Sequence, residues 1–492
     1  MPFLALLTLL AVLAPGRGLA PAAGPQAQAP GPAGGAPMDA AALNALKKSC
    51  DKGTADDCLR LAGMHTRGEG VPRDVEKAAS FLKKGCDLNL AAACLDLANA
   101  VRTGTGAKRD PERASVLYQK ACDAGAPVGC AELAAMLTAG QEIQKHLGRA
   151  AELNGRACEG GVAPSCGLLA AMYADGSPMP KDEAKAASLN DRGCSGGDAP
   201  SCVRLAAMVR DGRGVARDPA RAVLLARKSC DTGLPAACVA LANALRKGEG
   251  VAADPPQALT LFTKGCDGGE PQGCLGLGEL VRDGAAGATR DLPRAASLFR
   301  KACDGKVGAG CYELGQMQGR GQGMKVDLAQ ATALFRDACT DGDPRGCTVL
   351  GQLFQSGRGV VRDINRAVAL FEEACGKGDL PGCSALAAMY DSGELVGRDY
   401  ARARSLYERT CGGGIAADCH ALAKILGPTA ADRKAAFDLN AKACAASVAV
   451  ACHDMGAAWE ATRDPQKALQ YYEKACAAGL AADCERVRKM KQ

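Results

Sequence analysis

Cysteine is the residue type with the most chemistry to offer in this chain. There are 26 among 492 residues. They form thirteen pairs with seven residues between partners: Cys50 with Cys58, Cys86 with Cys94, Cys122 with Cys130, Cys158 with Cys166, Cys194 with Cys202, Cys230 with Cys238, Cys266 with Cys274, Cys303 with Cys311, Cys339 with Cys347, Cys375 with Cys383, Cys411 with Cys419, Cys444 with Cys452 and Cys476 with Cys484. Two chemistries compete, disulfides and metal thiolates. Zinc sites usually draw two ligands from a C-x(2–4)-C knuckle, and no pair here has that spacing. Histidine is confined to His65, His146, His420 and His453. Packed helices lie roughly 8–10 Å apart. That exceeds the roughly 7 Å Cα limit of a disulfide, so bridges are expected within each C-x7-C pair. Closing a loop of about nine residues contributes roughly 2–3 kcal/mol in the chain-entropy model. Carriage of a metal or cofactor by free thiols is the competing reading.

Other chemistry is sparse. The chain has no H-E-x-x-H, G-x-S-x-G or Walker string. Gly319, Gly321 and Gly323 superficially resemble a phosphate loop but sit where an inter-helix loop is expected. His420 and His453 each follow a cysteine by one residue and read as surface histidines of duplicated units. No metal and no cofactor is expected. The net charge of +6 is small for this length, and its signs are interspersed. Aromatics make up 3% of the chain, too few for base-stacking platforms, so no nucleic-acid partner is expected. The carboxylates read as a solvated face.

The elements that position the cysteines follow from their period. First cysteines recur every 36 residues, with 37 once and then 33 and 32 at the end. A fixed period of this size in a helical sequence means a solenoid of helix pairs. Cys339–Cys375 is a clean copy. Cys347, Leu350, Gly351, Leu353 and Phe354 fall at helical spacing, and Gly357-Arg358-Gly359 breaks the helix. Asp363 then precedes a second stripe of Ala367, Leu370, Phe371 and Ala374. Asp recurs at that capping position as Asp74, Asp110, Asp218, Asp254, Asp291, Asp327, Asp399 and Asp464. The unit between Cys130 and Cys158 lacks both the Gly-x-Gly loop and the Asp cap. The units ending at Cys444 and Cys476 are shortened in the same loop. Twelve units are expected between Cys50 and Cys476, with a lone helix before them from Asp39 and another after Cys484. Trp459 falls at the register of Phe354 and Tyr390 and is expected to pack.

Residues 1–20 contain an apolar run, Phe3 to Leu13, too short to span a membrane. They read as a signal peptide, although no Lys or Arg precedes the run and Pro21 follows the candidate cleavage point. Residues 21–37 are Ala, Pro, Gly and Gln and read as a flexible tether. Residues 38–492 read as the solenoid. Export and paired cysteines agree, since disulfides persist in oxidising compartments. A periplasmic or secreted bacterial protein is expected, monomeric, with no membrane span in the mature chain.

The units carry the strings A-x-x-L-x-x-x-A-C, C-x-x-L-G-x-x-Y-x-x-G-x-G-V and D-x-x-x-A, seen in Ala369–Cys375 and Leu350–Phe354. This pattern resembles the Sel1-like repeat, and the C-x7-C in every unit resembles its secreted branch of Helicobacter cysteine-rich proteins. The resemblance covers nearly everything from residue 39. It implies an all-α fold, a right-handed α/α superhelical solenoid of about twelve Sel1/TPR-like helix pairs, each stapled by a disulfide. It also implies export and binding of proteins or ligands. Some members of that branch are described as penicillin-binding with weak β-lactamase activity. Serine enzymes of that class need S-x-x-K with S-D-N and K-T-G elements. Ser80-Phe81-Leu82-Lys83 matches the first string alone, and the same register elsewhere reads Ser115…Tyr118, Ser188…Asp191 and Ser297…Arg300. The match reads as coincidence, and no catalytic residue is assigned.

A solenoid offers its first helices to a concave face. Counting from the second cysteine of each pair, positions +3, +4 and +6 should face neighbouring helices. Positions +2, +5 and +9 form an open stripe. Arg60, Asn99, Arg204, Asn243, Glu279, Gln316 and Gln352 lie on it, and the amides Asn99, Asn243, Gln316 and Gln352 share position +5. These seven are the expected groove residues, with the amides placed to bond the backbone of an extended peptide. The expected function is an exported, non-catalytic scaffold for an exported protein or peptide partner. The alternative is a β-lactam-binding protein with weak hydrolytic activity.

Overall fold

The computed structural model describes residues 38–427 and 429–492. The expected signal peptide and tether lie outside the described residues. Among these residues there are 26 α-helices and no strand. The chain divides into two compact units, one up to Ser201 and one from Cys202. In the first unit, α1 (Ala40–Asp51) precedes the pairs α2 (Ala55–Arg67) with α3 (Val75–Asp87), α4 (Ala91–Thr103) with α5 (Pro111–Asp123), α6 (Pro127–Ala139) with α7 (Leu147–Glu159), and α8 (Ala163–Asp175) with α9 (Glu183–Ser195). The boundary falls inside α10 (Ala199–Asp211), whose partner is α11 (Pro219–Asp231). The second unit continues with α12 (Pro235–Lys247) and α13 (Pro255–Asp267), α14 (Pro271–Asp283) and α15 (Leu292–Asp304), α16 (Gly308–Arg320) and α17 (Leu328–Thr340), and α18 (Pro344–Ser356) and α19 (Ile364–Gly376). It ends with α20 (Leu380–Ser392) and α21 (Tyr400–Gly412), α22 (Ala416–Ile425) and α23 (Ala430–Ala445), α24 (Ala449–Ala461) and α25 (Pro465–Ala477), and the lone α26 (Ala481–Met490). The sequence period therefore gives twelve helix pairs between two flanking helices.

Local chemistry sets the helix ends. Asp74, Asp110, Asp218, Asp254, Asp291, Asp327, Asp363, Asp399 and Asp464 all cap second helices, each accepting from the backbone N–H three residues on. Two second helices lack the Asp: α7 is capped by His146, whose Nδ1 accepts from the N–H of Arg149 at 3.1 Å, and α23 by Thr429, whose hydroxyl accepts from the N–H of Asp432. Asp182 caps α9 in the same way. The Gly-x-Gly loop has two separate jobs. Its first glycine ends the first helix in the left-handed region, as Gly104 and Gly248 do at φ 81° and 72°. Its second glycine lets the loop touch the second helix of the preceding pair. A Cβ on Gly106 would sit 2.1 Å from the Val75 carbonyl oxygen, and one on Gly250 2.2 Å from that of Pro219. Gly323 abuts Leu292 likewise, so the string that resembles a phosphate loop is a packing contact.

The helices pack through small residues and one large ring. On first helices the +3 and +4 positions are buried, as in Leu61 and Ala62, Leu97 and Ala98, and Leu241 and Ala242. Four residues before its cysteine, the second helix carries an aromatic side chain in seven pairs: Tyr118, Phe262, Phe299, Phe335, Phe371, Tyr407 and Tyr472. All seven are buried. Each such side chain contributes roughly 1.5–3 kcal/mol by leaving water. The rings lie against position +4 of the partner helix, which is glycine in Gly278, Gly315, Gly351 and Gly456. Leu82, Asn154, Asn190, Ala226 and Asn440 hold this position in the other pairs.

Disulfides tie the end of each second helix to the start of the next first helix, and every bridge stays within its C-x7-C pair as expected. In the first unit Cys50 bonds Cys58, Cys86 bonds Cys94, Cys122 bonds Cys130 and Cys158 bonds Cys166. In the second unit Cys230 bonds Cys238, Cys266 bonds Cys274, Cys303 bonds Cys311 and Cys339 bonds Cys347. The same unit continues with Cys375 to Cys383, Cys411 to Cys419, Cys444 to Cys452 and Cys476 to Cys484. Cα–Cα distances run from 4.5 Å at Cys86 and Cys94 to 4.8 Å at Cys50 and Cys58. Cys194 and Cys202 are disulfide-bonded as well. Among the described residues no cysteine is free, so the competing reading of thiols that carry a metal or cofactor has no thiol to work with.

A second tie was not read from the sequence. The residue two before the first cysteine is usually basic and reaches back to the C-terminal turn of the preceding second helix. Lys264 Nζ donates to the Cys230 carbonyl at 3.2 Å, Lys442 to that of Cys411 at 3.0 Å, and Arg156 to that of Cys122 at 3.1 Å. Each of these carbonyls already accepts from the glycine N–H three residues on, so the cation adds a second, charge-assisted bond at the negative end of a helix dipole.

Two outcomes follow. Replacing Cys266 and Cys274 together by Ser lowers the local opening free energy around α13 and α14 by roughly 2–3 kcal/mol. Hydrogen exchange should show that loss there and leave α3–α5 unchanged. Gly106→Ala forces a methyl group against the Val75 carbonyl in a left-handed backbone. It destabilises by at least about 1–3 kcal/mol of overpacking, read as a lower thermal midpoint and faster exchange in α3 and α5.

Candidate binding site

The open stripe is what remains of a first helix once its packing face is buried. Position +5 lies beside the buried +4 residue, and in Asn99, Asn243 and Glu279 it faces the preceding first helix. Asn99 is exposed on α4, and its Oδ1 accepts from the Tyr118 hydroxyl at 2.6 Å. Asn243 is half-buried on α12 and accepts from Arg246 Nη2 at 3.2 Å. Gln316 on α16 donates to the Tyr312 hydroxyl at 3.3 Å. Gln352 on α18 is exposed, and its backbone carbonyl accepts from the Ser356 hydroxyl.

Three clefts gather these residues. In the first unit a cleft of about 680 Å³ runs between α2 and α4 over α3. It brings Arg60 and Asn99 together with Arg67, Asp96 and Thr103, above a floor that includes Ala78 and Leu82. Burial in this cleft raises the pKa of Asp96, although its side chain keeps contact with solvent. In the second unit a cleft of about 600 Å³ lies between α10 and α12 over α11 and is lined by Asn243, Arg210 and Ala226. A cleft of about 250 Å³ between α16 and α18 contains Gln316 above Phe335. Arg204 lies on α10 outside the lining of the second cleft, and Gln352 lies outside that of the third.

Glu279 has a different job from the amides that share its register. Its carboxylate meets Arg246 Nη1 at 2.5 Å, joining α12 to α14. Arg282 repeats the contact with Glu313 at 2.6 Å, joining α14 to α16. In the first unit Arg102 reaches Glu132 at 2.9 Å, joining α4 to α6. These arginines stand at position +8, a register the sequence reading passed over. The usable signal was Arg at +8 with Glu at +2 or +5 of the next unit. Arg246 and Arg282 also lie over the rings of Phe262 and Phe299, at 5.4 and 5.8 Å from the centroids. Arg282 is anchored by a two-pronged bond to Asp283, which raises the arginine pKa and lowers that of the aspartate. Half-exposed pairs of this kind are worth about 0.2–1 kcal/mol each, so the ladder fixes geometry more than it adds stability.

The other sequence candidates have ordinary partners. The Ser80 hydroxyl donates to the Lys77 carbonyl at 2.7 Å, a bond within its own exposed helix. His420 Nδ1 lies 2.9 Å from Asn440 Oδ1, and His453 Nδ1 lies 3.0 Å from the buried Asp483. Among the described residues, the group with metal-ligand spacing is Cys339, Cys347 and Glu373, and its two sulfurs already form a disulfide. Trp459 is half-buried, edge-on to Phe437 at 5.7 Å, with Lys467 over its ring. Among the described residues, no helix is long and apolar enough to cross a membrane.

A family model described as the Sel1 repeat matches the chain ten times, over residues 55–90, 91–125, 163–198, 199–234, 235–270, 271–307, 308–343, 344–379, 380–414 and 442–480. The unmatched stretches include the pair capped by His146 and the first shortened unit, the two departures visible in the sequence. No curated protein matches the chain. Among solved structures, the c5321 protective antigen of uropathogenic Escherichia coli, which displays an SLR fold, is 22% identical. That match covers 92% of this chain and 97% of that one, with a TM-score of 0.62. A Sel1 repeat protein from Oxalobacter formigenes is 23% identical over 64% of this chain and 92% of its own, with a TM-score of 0.49. Cysteine-rich protein B of Helicobacter pylori is 31% identical over 27% of this chain and 96% of its own, with a TM-score of 0.23. With well over half of its length matched by the repeat, the chain belongs to the Sel1 repeat family.

Proposed function

We propose that this chain is an exported, non-catalytic scaffold that holds extended peptide segments of an exported partner along its first helices. One observation carries the reading. Asn99, Asn243 and Gln316, amides at the same repeat position, each line an open cleft between successive first helices. An amide offers a donor and an acceptor together, which is what a peptide backbone needs. The disulfides at the repeat junctions hold the helices that line the clefts, so little ordering is lost on the receptor side when a peptide binds. Disulfides at every repeat junction fit an oxidising compartment. Together with the apolar leader they support the periplasm or the cell exterior.

The test is capture of partners from an envelope extract by the oxidised chain, repeated with variants. Asn243→Ala with Gln316→Ala is expected to lower retention of the captured protein several-fold without moving the thermal midpoint. Asn99→Ala is expected to lose both, because it deprives the buried Tyr118 hydroxyl of its acceptor at about 0.5–1.5 kcal/mol. Retention that falls only in step with stability would sink the groove reading.

A further inference from the structure

The pair α10–α11 departs from its neighbours at one place. Where α13 and α15 carry Phe262 and Phe299, α11 carries Ala226. The arginine that covers those rings is still there. Arg210 stands at the position of Arg246 and Arg282. Its guanidinium is anchored on Asp211 at 2.7 and 3.1 Å, the same two distances at which Arg282 holds Asp283. Two things beside Arg282 are missing beside Arg210. Ala226 leaves out the ring, and Ala240 stands where Glu313 supplies a carboxylate. Asn243, at the position of Glu279, brings an amide in place of an acid.

The cleft over Ala226 is correspondingly deep. Its floor is made by Ala222, Val223 and Ala226 of α11, all more than nine-tenths buried. Over Phe299 the cleft stays on the polar rim, among Arg282, Glu313 and Arg345. Over Phe335 the ring itself is in the lining, where Ala226 leaves the floor bare here. The mouth carries Arg210, Arg217 and Lys247 against Asp211 and Glu249, an excess of positive charge.

We infer that the cleft between α10 and α12 takes an aromatic side chain, with an acidic residue next to it, from a bound peptide. The inference rests on the peptide-groove reading and adds what that peptide must present. The ring occupies the place Phe262 and Phe299 fill in the following pairs, beneath Arg210. The neighbouring carboxylate takes the place of Glu313 against the same guanidinium. Asn243 bonds the peptide backbone at the rim. A cation over a ring and a charge-assisted bond to a carboxylate would both draw on the exposed Arg210 guanidinium.

The test uses the oxidised chain and blocked peptides of the form Ac-Gly-Ser-Asp-Phe-Ser-Gly-NH2, followed by titration calorimetry. The Asp-Phe peptide is expected to bind saturably. Replacing Phe by Ala weakens it at least tenfold, and replacing Asp by Asn several-fold. Ala226→Phe restores the pattern of the other pairs. Ala206, which that ring would touch, corresponds to Ala242 beside Phe262 and Ala387 beside Tyr407, so the variant should fold with an unchanged or higher thermal midpoint. It is expected to abolish binding. Ala226→Leu, which copies the α2–α3 pair, weakens binding and guards against a misfolded Phe variant. Arg210→Gln removes the preference for Asp over Asn. Equal binding of the Phe and Ala peptides, full affinity in folded Ala226→Phe, or no binding of either peptide overturns the aromatic site. Equal binding that Asn243→Ala still weakens leaves the groove itself standing, so the two readings fail separately.

Discussion

A helix of thirteen residues is marginal in water on propensity alone, and nearly every helix in this chain has that length. Each must gain its stability by packing, yet the faces it packs with are rich in Ala and Gly. Small faces bring backbones close and bury little area per residue. In seven of the twelve pairs the chain answers with one large ring, set over a small residue of the partner helix. It adds a covalent bond at each junction between pairs, where the turn is tightest. The second glycine of the loop and the basic residue before each first cysteine follow from the same closeness. One lets backbone meet backbone, and the other adds a cation to a carbonyl at the negative end of the neighbouring short helix.

Much of this was legible in the sequence because it is local. A C-x7-C pair, an Asp three residues before an N–H, or a glycine ending a helix can each be read within a dozen residues. Nine aspartates named as caps are caps. The cap supplied by His146 was missed because an imidazole nitrogen is an uncommon acceptor there. The Arg–Glu ladder was missed for another reason. Its partners stand 30 to 33 residues apart, one repeat along, and connect positions that differ between units. Reading one repeat at a time hides contacts made across the period. The same limit placed Glu279 and Asn99 on the open stripe without their partners, whereas Glu279 is engaged in the ladder and Asn99 in holding Tyr118.

A repeat protein supplies its own internal control. Twelve pairs solve one packing problem, so a residue that departs from the common solution stands out against eleven references. Most departures on the outer surface are neutral for packing. Those at the ring position are not, because that side chain is the main apolar mass of its pair. Leu82 and Ala226 open clefts there, one in each unit, and both clefts carry a position +5 amide on the rim. Asn154 departs differently. It is 1% exposed, and its Oδ1 has no partner. Among the described residues that acceptor is left unpaired, a local cost.

Such departures bear on why the disulfides recur so regularly. Loss of a buried Phe ring costs about 3–5 kcal/mol in a closed core, and less where the space opens to water. A disulfide over a nine-residue loop contributes roughly 2–3 kcal/mol. The two are of one size. A pair that gives up its ring can therefore be held in register by the covalent ties at its ends, which do not depend on what fills its interior. In a solenoid built from packing alone, a vacancy at the ring position would loosen the stack where it occurs. With a bond at every junction, individual pairs are free to trade core for cleft, and the scaffold can vary its surface without losing its shape.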